Sequence, residues 1–238
     1  MLPEHSVFII MNKRLNSHIL IAALFALAFA FNSPVVSAQT PYTVVFLGDS
    51  LTEGYGLDES ESYPSLIETK LSAENMSHIR VINAGVSGST SASGLGRLQW
   101  YIRSQPDLLV LSLGANDGLR GLSVEEMKAN LSNTITYALD NDVDVILTGM
   151  QIPPNYGPEY TQEFASVFPD LAAQYGIPLM PFLLENVAAI TELNQADGIH
   201  PNVKGTRIVA DNLYRFLRPY LPEAWLFLFL STSNLQLP

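Results

Sequence analysis

The chain has 238 residues, 47% of them apolar and 15% charged, enough to bury one sizeable core and too apolar for a disordered protein. It contains no cysteine, which excludes disulfides, thiolate metal sites and a cysteine nucleophile. Lys plus Arg number 12 against 23 Asp plus Glu, a formal net charge of −11, and such a surface repels phosphate backbones and so argues against a nucleic-acid function.

Lys13 and Arg14 precede an unbroken apolar run from Ile19 to Phe31, followed by Ser33-Pro34 and Val36-Ser37-Ala38. A basic start, a short apolar centre and small residues at the −3 and −1 positions read as a secretory signal peptide over residues 1–38, cleaved after Ala38. The run is shorter than the roughly 20 residues of a spanning helix, which favours cleavage over a membrane anchor. Val7 to Ile10 lie ahead of the charges, so Met11-Asn12-Lys13-Arg14 makes the better start. Without Glu4, Lys13 and Arg14 the remaining chain, Gln39 to Pro238, has a net charge of −12. It keeps two histidines, His78 and His200.

Short apolar runs then alternate with longer amphipathic ones. Tyr42–Leu47, Arg80–Asn83, Leu108–Leu113 and Val143–Thr148 read as strands, the first as a strand buried on both faces, with Pro178–Phe182 a weaker fifth. Helical patterns cover about Tyr63–Glu74, Ser91–Arg103, Ser123–Asn141, Tyr160–Tyr175 and Val203–Leu217. Ser123 and Glu126 fit a capping box, and Pro201 is expected at the first position of the last helix. The alternation implies one α/β domain with a parallel sheet. In such sheets ligands bind beyond the carboxyl ends of the strands, so the residues there matter most.

The first strand runs into Gly48-Asp49-Ser50-Leu51-Thr52. A serine at such a turn has an exposed hydroxyl and a free backbone N–H, as a nucleophile requires; a helix cap is the plainer reading. The second strand runs into Asn83-Ala84-Gly85-Val86-Ser87-Gly88-Ser89-Thr90. A glycine there lets a backbone N–H approach a ligand, while the missing Lys and missing G-x-G-x-x-G speak against a nucleotide. The third strand runs into Gly114-Ala115-Asn116-Asp117, whose asparagine amide is placed to donate to an oxyanion or to form an Asx turn. Near the end comes Asp197-Gly198-Ile199-His200, in which the carboxylate reaches the imidazole across one turn. If a histidine serves a serine, only His78 or His200 is available, and His78 lies on the amino side of the second strand.

These four blocks, in this order, resemble the SGNH (GDSL-type) hydrolase superfamily from about Val44 to Leu217. The surrounding text, Phe46 to Gly56, Leu113 to Gly121 and Met150 to Gly157, is similar to the branch of bacterial periplasmic thioesterases, lysophospholipases and arylesterases. The resemblance implies a flavodoxin-like three-layer α/β/α sandwich with a five-stranded parallel sheet. It implies an acyl ester and thioester hydrolase with no metal and no cofactor, in the periplasm or secreted. Ser50 would be the nucleophile and Asp197 and His200 its acid and base, with Ser50, Gly85 and Asn116 forming the oxyanion hole. A small-molecule ester is the expected partner of a monomer without a stable membrane span. A carbohydrate deacetylase on the same scaffold and a secreted non-catalytic binding protein are the alternatives. Residues 39–222 would form the hydrolase domain, and the apolar tail, residues 223–238, would dock on it, mediate self-association or lie at a membrane surface.

Overall fold

A computed structural model describes residues 41–223; the expected signal peptide, the Met11 start and all but the first residue of the tail lie outside them. Five strands, β1 (Tyr42–Gly48), β2 (Ile79–Gly85), β3 (Leu108–Ser112), β4 (Asp144–Thr148) and β5 (Leu179–Met180), form one sheet in the order β2-β1-β3-β4-β5. All neighbouring pairs are parallel. The helices are α1 (Ser50–Glu53), α2 (Tyr63–Ala73), α3 (Gly94–Tyr101), α4 (Ala115–Leu119), α5 (Val124–Leu139), α6 (Pro158–Tyr175) and α7 (Val203–Leu217). Among the described residues, no helix is long and apolar enough to cross a membrane.

The chain steps from β1 outward to β2, then crosses to β3 on the other side of β1. Right-handed crossovers therefore put α2 on one face and α3, α5 and α6 on the other. Helix α7 returns to pack on α2, which completes a three-layer, flavodoxin-like sandwich. The central strands are covered on both sides, and Val44 to Leu47, Leu108 to Leu111 and Val145 to Leu147 are all buried. That is why they read as continuous apolar runs. Edge strand β2 exposes Arg80 and half-exposes Val81 and Ile82.

Two expectations about local structure change. The expected strand Pro178–Phe182 shortens to Leu179–Met180, because the flanking prolines, Pro178 and Pro181, have no N–H to give to a ladder. Pro201 is not the first residue of α7. It precedes the cap, and Asn202 caps the helix by accepting the N–H groups of Lys204 and Gly205 at 3.0 and 3.2 Å. At α5 the Ser123 hydroxyl accepts the Glu126 N–H at 3.1 Å, the forward arm of the expected capping box.

The strand order reverses between β1 and β3. The turn after β1 and the turn after β3 thus meet over one crevice, which carries Ser50 and Asn116.

Candidate active site

Ser50 is the first residue of α1 and is 9% exposed. Its Oγ lies 2.9 Å from Nε2 of His200. The other ring nitrogen of His200, Nδ1, lies 2.8 Å from Oδ2 of Asp197. The second oxygen of Asp197 accepts the N–H groups of Ile199 and His200 at 3.0 and 3.1 Å, which locks the turn between the two side chains. The hydrogen bond from the His200 ring is the main reason that the Asp197 carboxyl is held at about 2, helped by those two N–H groups against the effect of burial.

Two contacts set the His200 loop against Ser50. The Tyr55 ring lies on the imidazole, centroids 4.7 Å apart and tilted by 39°. Gln195 Nε2 donates to the Tyr55 carbonyl at 2.7 Å and to the Pro201 carbonyl at 3.1 Å, while the Gln195 N–H donates to the His200 carbonyl at 2.7 Å. His78 sits at the opposite end of the sheet, where its carbonyl accepts the N–H of Tyr42 at the start of β1.

Asn116, in the first turn of α4, points its Nδ2 to the Ser89 carbonyl at 3.1 Å and to Oδ2 of Asp49 at 3.4 Å. Asp49 is a site residue that the motif reading passes over. It is 1% exposed, and its other oxygen caps α1 by accepting the Leu51 N–H at 3.0 Å. Burial raises its pKa to about 6, opposed by the Leu51 N–H and by the charges of His200 and Arg97. Its place between Gly48 and Ser50 signals a cap; its burial and its bond to Asn116 come only from the tertiary fold.

Gly85 does not join the site. It ends β2, and its N–H donates to the Asn83 side chain at 2.9 Å. A side chain there would meet the backbone nitrogen of Glu53 at 2.1 Å, so this glycine serves the close approach of α1 to β2. The glycine that lines the cavity beside Ser50 and Asn116 is Gly88, three residues on, with φ +76°. The N–H groups of Ser50 and Gly88 have no protein acceptor among the described residues. The sequence signal for Gly88 was present in the same loop, but nothing local distinguishes the two glycines.

The cavity over Ser50 has a volume of about 760 Å³, and its walls include Leu119, Met150, Ile152, Phe182, Leu184 and Ile199. Among the described residues, no group of three His, Asp or Glu side chains is placed to hold a metal ion. The site therefore combines a hydroxyl, an imidazole fixed by a carboxylate, several N–H donors and apolar walls. That set suits acyl transfer.

Residues 46–208 match the GDSL-like Lipase/Acylhydrolase family. The chain is 39% identical over 180 residues to "Esterase TesA" of Pseudomonas aeruginosa, covering 75% of this chain and 89% of that one. It is 34% identical over 178 residues to "Thioesterase 1/protease 1/lysophospholipase L1" of Escherichia coli, covering 74% and 84%. Among solved structures it resembles the psychrotrophic esterase EstA of Pseudoalteromonas sp., inhibited by monoethylphosphonate. There the TM-score is 0.72 and the identity 35%, over 75% of this chain and 98% of that one. With the family matched across nearly the whole sheet, and four blocks of its pattern gathered at one crevice, the chain belongs to the GDSL-like lipase/acylhydrolase family and is an acyl ester hydrolase.

Proposed function

We propose that Ser50 is the nucleophile, His200 the general base and acid, and Asp197 the group that orients His200. The observation that carries this reading is the unbroken chain from Asp197 to His200 to Ser50, at 2.8 and 2.9 Å, opening on an apolar cavity. His200 Nε2 takes the Ser50 proton as Oγ bonds to the acyl carbon. The negative oxygen of the tetrahedral intermediate is held by the N–H groups of Ser50 and Gly88 and by Asn116. That oxygen competes for the Asn116 hydrogen now shared with Asp49 at the longer distance of 3.4 Å. His200 returns the proton to the leaving alcohol or thiol as its bond to the acyl carbon breaks. A water, deprotonated by His200, then attacks the acyl-enzyme and releases the acid and Ser50. Each role falls to a side chain or a backbone N–H of this chain, so the scheme calls on no cofactor.

The substrate of this scheme is a small-molecule ester or thioester whose acyl chain is apolar, matching Leu119, Met150, Ile152 and Phe182 on the cavity walls. Those walls weigh against the carbohydrate deacetylase alternative, which calls for a flat polar cleft. The protein acts as a monomer, without nucleic acid. Export to the periplasm or beyond is supported by Lys13-Arg14, the apolar run and Val36-Ser37-Ala38. Residues 39–222 form the hydrolase unit, and residues 223–238 are dispensable for the chemistry.

Treatment with p-nitrophenyl diethyl phosphate followed by peptide mass spectrometry tests the nucleophile. A diethylphosphoryl group on Ser50 with loss of turnover is expected. An active protein without adduct on Ser50 overturns the assignment, and an inactive one without adduct favours the non-catalytic binding protein. A ladder of p-nitrophenyl esters and acyl thioesters then measures the acyl length that the cavity accepts.

A further inference from the structure

Val86, Ser87, Gly88 and Ser89 form a turn closed by the Ser89 N–H donating to the Val86 carbonyl at 3.2 Å. Gly88 is the third residue of this turn, and its φ of +76° is that of a type II turn. Types I and II differ by a flip of the central peptide, here the one joining Ser87 to Gly88. That peptide carries the Gly88 N–H. The flip exchanges the sides taken by the Gly88 N–H and the Ser87 carbonyl, both on residues that line the cavity. A glycine, lacking Cβ, tolerates either state, so its neighbours have to decide.

Its neighbours are held by charged side chains. Oε2 of Glu53 accepts the Ser87 N–H at 2.7 Å and also accepts the Ser87 hydroxyl. Nη2 of Arg120 donates to the Gly88 carbonyl at 2.9 Å. Nη1 of Arg97 donates to the Ser89 hydroxyl at 3.0 Å, and Asn116 donates to the Ser89 carbonyl. Glu53 differs from the other two in its origin, because it closes the four-residue helix α1 that begins with Ser50. The backbone of Glu53 is itself seated on the end of β2, against Gly85 and within 3.5 Å of the Asn83 amide nitrogen.

We infer that Glu53 is a positioning residue that selects the type II state of this turn and so keeps the Gly88 N–H aimed at the substrate carbonyl. The inference rests on the reading that Gly88 is an oxyanion donor. A carboxylate accepting an N–H and an O–H from one residue makes two charge-assisted hydrogen bonds, and these are the strong kind. Because Glu53 and Ser50 share one short helix, the clamp also sets the donor at a constant spacing from the nucleophile. A donor fixed before the reaction stabilises the transition state without reorganising. Glu53 is exposed, so its side chain is removable without opening the core.

The test compares Glu53→Ala and Glu53→Gln with the wild type on p-nitrophenyl butyrate. It also follows the Gly88 amide by NMR in 15N-glycine-labelled protein, before and after Ser50 is phosphorylated with p-nitrophenyl diethyl phosphate. In that step His200 takes the Ser50 proton as the bond from Oγ to phosphorus forms and p-nitrophenolate leaves, placing a phosphoryl oxygen where the oxyanion would lie. Glu53→Ala should lower kcat by about 10–100-fold, the population shift expected on losing a charged hydrogen bond. KM and Tm should stay close to wild type. Glu53→Gln, which keeps an acceptor for the Ser87 N–H, should recover most of the loss. The Gly88 proton should move downfield on phosphorylation in the wild type and less so in Glu53→Ala. A full Gly88 shift in Glu53→Ala, at any kcat, overturns the role of Glu53 and leaves Gly88 as donor. Absence of the shift in the wild-type adduct overturns the donor assignment itself, and the inference with it.

Discussion

The buried carboxylate of Asp49 and the amide of Asn116 meet at 3.4 Å across the reversal point of the sheet. Residues next to β1 and β3 are thereby joined beneath the crevice, one flanking the proposed nucleophile Ser50 and the other the proposed oxyanion donor. Asp49→Asn keeps an oxygen to cap α1 but holds Asn116 through a neutral group, so kcat should fall.

The same variant tests the pKa of Asp49. Burial raises it from 3.8 to about 6, so the folded state holds this proton more tightly than the unfolded chain does. Stability from this group is complete below pH 3.8 and is lost as pH rises through 6. The Tm of Asp49→Asn relative to wild type should therefore improve as pH rises from 3.8 to about 6 and level off above that, as read by calorimetry. Asp197 has the opposite sign, since its carboxyl is held at about 2. Its contribution is present above 3.8 and is lost as pH falls toward 2. A Tm difference for Asp49→Asn that does not change with pH would show that Asp49 ionises normally.

Ser50→Ala and His200→Ala should each lower kcat by about 10⁴–10⁶-fold with the fold intact by circular dichroism, because the two act as one unit. His78→Ala, at the far end of the sheet, should leave turnover on a soluble ester nearly unchanged. A large loss in His78→Ala with turnover kept in His200→Ala would move the base away from His200.

Asn116→Ala should lower kcat by roughly 10²–10³-fold, the cost of one oxyanion donor, with KM little altered. A raised KM at constant kcat would make Asn116 a ground-state binding group instead.

Gly85→Ala and Gly88→Ala separate the two glycines of one loop. At Gly85 a Cβ meets the Glu53 nitrogen at 2.1 Å, so the cost should appear as lost stability, on the order of 1–3 kcal/mol or more. At Gly88 the nearest atom to a new Cβ is the Arg120 guanidinium at 3.4 Å, so space is available. The strain of φ +76° should push the turn toward its other state and lower kcat with a smaller change in Tm. The reverse pattern would restore Gly85 as the donor.

The sheet was legible where burial is two-sided. Tyr42–Leu47 and Leu108–Leu113 read as strands because helices cover both of their faces, and the bounds of α7, Val203–Leu217, were read in full from its periodicity. Helices α1 and α4 were not, since four or five residues make too little of a period. Ser50, Asn116, Asp197 and His200 stand out because each lies in a turn bearing a polar group, and two of those three turns follow strands. The glycine proposed for the oxyanion hole does not. Choosing Gly88 over Gly85 requires knowing that the Asn83 side chain consumes the Gly85 N–H, and that bond appears only once β2 is seated against α1.

The bond from Ser50 to His200 spans 150 residues. The intervening chain, from α1 through the last strand, lies between the two residues, and α7, which follows His200, packs on α2. Contacts of such long range close late, after the entropy of the intervening chain has been lost. During refolding from denaturant, hydrolysis should thus return after helical circular dichroism and core fluorescence have recovered. Each molecule would report by its first turnover that the turn after β1 and the turn before α7 have met.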